Sequence, residues 1–139
     1  MIEGLYDKQR LFDHVVRHLF KQHAKAVSTI DGKVSCRYRA ANGLKCAIGC
    51  VIADDQYYPA MENMNVRELF ESLEISIGRK IQKPNGEWSV GTEYDMLVRL
   101  QNAHDHRFVY EWPMYLKIIA DEHKLEFNFT EEDWKGCVA

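Results

Sequence analysis

Apolar residues at positions 11, 12, 15, 16, 19 and 20 set the first clear period along the chain. They fall in two adjacent rows at i, i+4 and i+8, a wide stripe that predicts a helix from about residue 7 to 25. Asp7 stands where an N-cap is needed. The period then shortens. Val27–Ile30 and Lys33–Arg39 flank Asp31-Gly32, a pair that supplies the positive φ angles of a tight turn, and together they read as a β-hairpin. Ala41-Asn42-Gly43 closes it. From Leu44 to Ala53 the pattern is apolar on every side, with Cys46 and Cys50 opposite Leu44, Ala47, Ile48, Val51 and Ile52. That predicts a central helix, with Gly49 allowing close approach of a neighbour.

Residues 53–64 read as a loop, and Asn65 caps a short helix through Leu73. Pro84-Asn85-Gly86, between Ile81 and Trp88, marks a second hairpin. Thr92 caps a helix to about His104. Pro113 opens a further helix to about Lys124, with Leu116, Ile119, Ala120 and His123 on its inner stripe. Leu125, Phe127 and Phe129 alternate as an extended segment, and Thr130 opens a final turn. The elements add up to a compact, helix-rich α+β domain with one or two hairpins, spanning residues 1–139.

Composition narrows the class. A chain of 139 residues with 46% hydrophobic and 28% charged positions has the balance of one globular domain. No apolar run approaches the roughly 18 residues that cross a bilayer, and Met1 to Arg10 lack the charge and apolar pattern of a signal peptide. The expectation is a cytoplasmic protein without a membrane span. In that setting Cys36, Cys46, Cys50 and Cys137 read as reduced core thiols, and their spacing fits no zinc knuckle.

The net charge of −3 conceals an uneven layout: residues 8–45 sum to +7 and residues 46–139 to −8. Such a split suits either a basic face for a phosphate-bearing partner or two patches that meet in a homo-oligomer. The overall negative charge argues against nonspecific DNA binding, which draws on many phosphate contacts.

Four cations in the basic half stand out. On a strand, Arg37 and Arg39 project from one face and Cys36 and Tyr38 from the other. Two forked guanidiniums side by side grip phosphate or carboxylate. Lys33 shares their face and Lys45 opens the next element, so Lys33, Arg37, Arg39 and Lys45 form the expected ligand- or partner-binding set.

The alternative chemistry is metal-based. His14 and His18, four apart on a helix, have a chelating spacing, and they are expected to point away from the apolar stripe. His104-Asp105 is the second candidate, an adjacent pair of the kind found in metal-dependent phosphohydrolases. It needs further His and Asp ligands, and His104 falls on the stripe of Leu97, Leu100 and Ala103, the place of a core histidine. Apolar neighbours around Cys46 and Cys50 work against an ionised thiol. No GxSxG, phosphate-loop or dinucleotide-loop pattern is present.

Cys36-Arg37-Tyr38-Arg39, the run Gly43 to Asp55 containing Cys46-Ala47-Ile48-Gly49-Cys50, Leu100-Gln101-Asn102-Ala103-His104-Asp105 and Trp112-Pro113 resemble a family of small proteins of tailed bacteriophages and prophages. The resemblance covers roughly residues 10–125. Where many relatives carry proline before the aspartate, this chain has Ala53 before Asp54. The resemblance implies a phage accessory protein acting in the host cytoplasm. With no complete catalytic set and no cofactor motif, the balance falls on a non-enzymatic protein that binds and inhibits or sequesters a host factor, either a defence protein or a phosphate-bearing ligand. A small metal-dependent hydrolase or nuclease using the His/Asp cluster is the alternative.

Overall fold

Asp7 starts the first helix: its carboxylate accepts the Arg10 N–H at 2.9 Å, so α1 runs Lys8–Gln22. The helix stops three residues short of the expected end, because His23 turns into the left-handed region (φ 53°) and donates its ring Nδ1–H to the Phe20 carbonyl. The six residues of the apolar stripe are all buried, and α1 is a central element of the core. A computed structural model describes residues 1–83 and 91–136. The expected second hairpin around Pro84-Asn85-Gly86, and Cys137, lie outside the described residues.

The first hairpin forms as β1 (Val27–Ile30) and β2 (Lys33–Cys36), antiparallel, with Val27 opposite Cys36 and Ile30 opposite Lys33. Asp31 and Gly32 both take positive φ, as the two-residue turn requires. β2 ends at Cys36, earlier than the pattern suggests, because the chain beyond it turns to meet a buried carboxylate.

The expected helix over Leu44–Ala53 does not form. The segment is buried from Cys46 to Ala53, as its composition demands, yet it coils as a loop with one 3-10 turn at Gly49–Val51. Its backbone groups find partners elsewhere in the fold. Cys46 N–H donates to the Tyr38 carbonyl, Lys45 N–H to Gln22, Ile48 N–H to Gln101 and Ala53 N–H to Ser76. His14, His18 and Gln22 of α1 donate back to the carbonyls of Cys50 and Lys45. Buried backbone must be satisfied, and here side chains from three directions replace the helical ladder.

Pro59–Asn63 adds a 3-10 turn inside the expected loop. Asn65 accepts the Glu68 N–H at 3.0 Å, and the chain runs through a 3-10 turn at Arg67–Leu69 into α2 (Phe70–Ile77), which Gly78 closes at φ 78°. Thr92 caps α3 (Glu93–His106) by accepting the Asp95 N–H. α4 (Trp112–Glu122) carries Pro113 in its first turn and packs along α3, burying Trp112, Leu116, Ile119 and Ala120. Arg79 ties the start of the chain to this pair, donating to the Leu5 carbonyl and to both oxygens of the buried Glu93.

Residues 125–129 alternate as expected, with Leu125, Phe127 and Phe129 turned inward, and Gln9 of α1 pairs with both backbone groups of Glu126. Thr130 and Asp133 then cap each other's backbone at the start of α5 (Glu131–Gly136). Trp134 of that helix stacks on His23, sealing the end of α1. The protein is an α+β fold, rich in helix, with one antiparallel hairpin among the described residues. None of the described helices is long and apolar enough to cross a membrane.

Candidate functional site

Glu62 organises the basic segment. Its side chain, 4% exposed, accepts the Tyr38 N–H at 2.8 Å and the Arg39 N–H at 3.1 Å, and takes the Tyr57 hydroxyl at 2.6 Å. Arg37 closes the arrangement with its Nε 3.5 Å from the same carboxylate. Arg39 leaves in another direction: it donates to the Ile52 carbonyl at 2.7 Å, pairs with Asp54 at 2.8 Å and lies over the Tyr57 ring. Lys45 shares Asp54 at 3.7 Å.

The side-by-side guanidinium fork expected at Arg37 and Arg39 is therefore not what forms. The strand alternation that would project both from one face stops at Cys36, and Glu62 and Asp54 draw the two apart. Lys33 stands on the exposed end of the hairpin, without an ion pair among the described residues. Of the four cations, Arg37, Arg39 and Lys45 help hold the loop over residues 37–62 together, and Lys33 takes no part in it. Glu62 and Asp54 are the residues that sequence reasoning missed. Both sit in a stretch read as plain loop, and nothing in linear spacing connects them to the arginines.

His104 is a core histidine, fully buried and stacked on Trp112 with ring centres 5.6 Å apart. Its Nε2 accepts the Ala26 N–H at 3.0 Å, so the proton of the neutral ring must sit on Nδ1, which donates to Asp105 at 2.7 Å. Gln101 donates to both Asp105 oxygens, and the Cys36 thiol bonds to the same carboxylate. Burial pushes the Asp105 carboxyl up, but the hydrogen bonds from His104, Gln101 and Cys36 outweigh it, and the net shift is downward. Asp105 is thus held as a carboxylate and lines a cleft of about 120 Å³ together with Cys36, Arg37, Tyr38, Glu62 and Gln101.

Cys36, His104 and Asp105 offer ligand atoms within 4.8 Å of one another. The tautomer argues against their use for a metal. An ion on Nδ1 would move the ring proton to Nε2, where it would meet the Ala26 N–H head-on. A backbone donor buried beside β1 would lose its partner at the same moment. The His104–Asp105 pair suits a structural relay joining α3 to the base of the hairpin.

His14 and His18 do not face solvent. Both are half-buried, because the loop that replaces the central helix lies across them, and each donates its Nε2–H to a carbonyl at 2.9 and 2.8 Å. Burial holds His18 below its usual range. Neither belongs to a set of three ligands among the described residues. His123 is engaged elsewhere, with Asp95 at 2.8 Å.

The thiols follow composition in part. Cys46 and Cys50 are buried, and burial raises both, Cys46 to about 12. Cys36 departs from the expectation of a core thiol. It lies exposed at the end of β2, and partial burial of its sulfur together with the Asp105 charge raises it to about 11. A thiolate nucleophile is disfavoured at every described cysteine.

Comparison with protein-family models, with curated proteins and with solved structures finds no match to this chain. His14, His18, His104 and His123 each hydrogen-bond within the fold. All four residues of β2 are exposed, Val34 by 68%, and the sheet has only two strands among the described residues.

Proposed function

We propose that the protein works by binding, as a phage-type accessory protein that occupies a host protein and blocks it, with the hairpin as its contact surface. One observation carries the reading: β2 is exposed along its full length and presents Lys33 and Val34 next to an edge that no third strand covers among the described residues. An open edge offers a row of backbone donors and acceptors to an extended segment of another chain. A protein partner is favoured over a phosphate-bearing molecule, because Arg37, Arg39 and Lys45 already spend their charge on Glu62 and Asp54.

The test is site-specific photo-crosslinking in bacterial host cells, with a benzophenone amino acid at position 34 and, as control, at the exposed Ile75. One dominant adduct heavier than a homodimer at position 34, weakened by Lys33→Glu and unchanged by Asp105→Asn, supports the reading. An adduct pattern no different from that at position 75 refutes it.

A further inference from the structure

A groove of about 340 Å³ opens between α3 and α4, a volume in the range of small-molecule sites. Residue spacing creates it: Arg99, Asn102 and His106 recur at three and four along α3, as Tyr115, Ile118 and Ile119 do along α4. Ala103 lines the groove with a single methyl group, so the space that a longer side chain would fill stays open. Tyr115, Ile118 and Ile119 give it an apolar wall.

The polar side chains along the same groove are basic or neutral, and no carboxylate lines it among the described residues. Arg107 ends α3 in an extended conformation, and its guanidinium lies over the Tyr115 ring, 4.2 Å from the centre. The ring steadies the cation without occupying its N–H donors, and Arg107 has no hydrogen bond or ion pair among the described residues. The exposed side chains of Asn102 and His106 are equally without a partner there. Arg99 differs, since Asp95 and Glu122 engage its charge and fix it at the edge. With Arg99 counted as neutralised, Arg107 still leaves the groove positive in a chain whose net charge is −3.

We propose that the groove between α3 and α4 binds a small aromatic anion, with one phosphate or carboxylate group on a flat apolar body. The Arg107 fork takes two oxygens of that group, and the Asn102 amide and a His106 ring N–H are further donors. The body lies along Ile118 and Ile119 and displaces water from them. Both halves are needed: an inorganic anion leaves the apolar wall uncovered, and an uncharged ring leaves Arg107 unanswered. This site is separate from the hairpin, so its failure leaves the reading given to β2 intact.

Titration of the full chain followed by amide chemical shifts tests the proposal, with 1-naphthyl phosphate, 1-naphthoate, 1-naphthol and inorganic phosphate as probes. The expected result is saturable binding of a naphthyl anion with Kd at or below about 1 mM, and shifts centred on the groove. The tighter of the two anions identifies the head group, and either one supports the proposal. Naphthol and inorganic phosphate should each bind at least tenfold more weakly. Arg107→Gln should weaken the anion about tenfold or more, and Ile118→Asp, which puts a carboxylate into the groove, should abolish binding. Arg67→Gln, at an arginine that lies over Tyr94 outside the groove, and Ile75→Asp should change nothing. All four substituted positions are exposed, so the variants keep the fold, which circular dichroism checks. No saturable binding of either anion up to about 10 mM, equal affinity for naphthol or inorganic phosphate, or full affinity in Arg107→Gln or Ile118→Asp overturns the proposal.

Discussion

Replacing Gly49 by alanine probes a close approach of two backbone segments. A Cβ on residue 49 would stand 1.8 Å from the Tyr38 carbonyl oxygen, 2.7 Å from its carbon and 3.2 Å from its Cα. All three atoms are backbone, so no side chain can swing away. To reach an ordinary contact near 3.5 Å, the two segments must part by roughly 1.7 Å. That movement breaks the Cys46 N–H bond to the Tyr38 carbonyl and draws the Tyr38 and Arg39 amides off Glu62. Each buried polar group left unpaired costs about 1–3 kcal/mol, and forced repacking about 1–3 more. The stiffer unfolded chain of the alanine variant returns only about 0.4–1 kcal/mol. A net destabilisation of about 3–5 kcal/mol follows, which for a chain of this size lowers Tm by about 10–20 °C. Thermal and urea unfolding followed by far-UV circular dichroism measure it. Gly43→Ala is the control: its φ is +86° and nothing lies within 4 Å, so only the left-handed backbone penalty of about 1 kcal/mol applies. A Gly49→Ala variant that melts within about 2 °C of the parent, or above it, refutes the claim that this contact is tight.

Glu62→Gln should cost about 2–4 kcal/mol by urea unfolding, since the new amide NH₂ must face the Tyr38 and Arg39 amides or the Tyr57 hydroxyl as a donor against donors; parent-like stability would remove Glu62 as organiser of the basic segment. Acid should destabilise the fold in two stages. Burial holds His18 and His123 below the ordinary 6.5, so the unfolded chain takes up protons that the folded one refuses, and stability is complete above about pH 6.5 and falls as pH drops through it. Asp7, Glu74 and Asp105, all lowered in the fold, add a second loss below about pH 4. The urea midpoint should therefore decline from pH 7.5 to pH 5.5, with a shallower slope in His18→Gln/His123→Gln, and a midpoint that is flat or rising over that interval contradicts the assignment.

Local signals in the chain were sufficient wherever neighbours within four residues supply the partner. Asp7, Thr92 and Thr130 cap helices because each accepts a backbone N–H three residues on, and that chemistry needs no tertiary context. Asp31-Gly32 sets its turn through φ angles that few other pairs adopt cheaply. The 3.6-residue period of α1 and the alternation of Leu125, Phe127 and Phe129 predict which side chains are buried, since the hydrophobic effect acts on side-chain direction alone. The place of His104 among Leu97, Leu100 and Ala103 likewise marked it as core.

Distance along the chain decided the rest. Residues 44–53 have the composition of a buried helix, but burial fixes only that their backbone must be satisfied, not by whom. Gln22, Ser76 and Gln101, each more than twenty residues away from the groups they bond, take the place of the i−4 carbonyls. The same loop covers His14 and His18, which turns two histidines expected to point away from the apolar stripe, toward solvent or a partner, into half-buried donors. Arg37 and Arg39 read as a ligand-gripping pair only while their carboxylates are unknown, and Glu62 and Asp54 lie more than a dozen residues beyond them. Residue type and period determined what each segment must bury. Which polar groups meet was settled by the tertiary fold, because hydrogen-bond and ion partners are chosen by proximity in space.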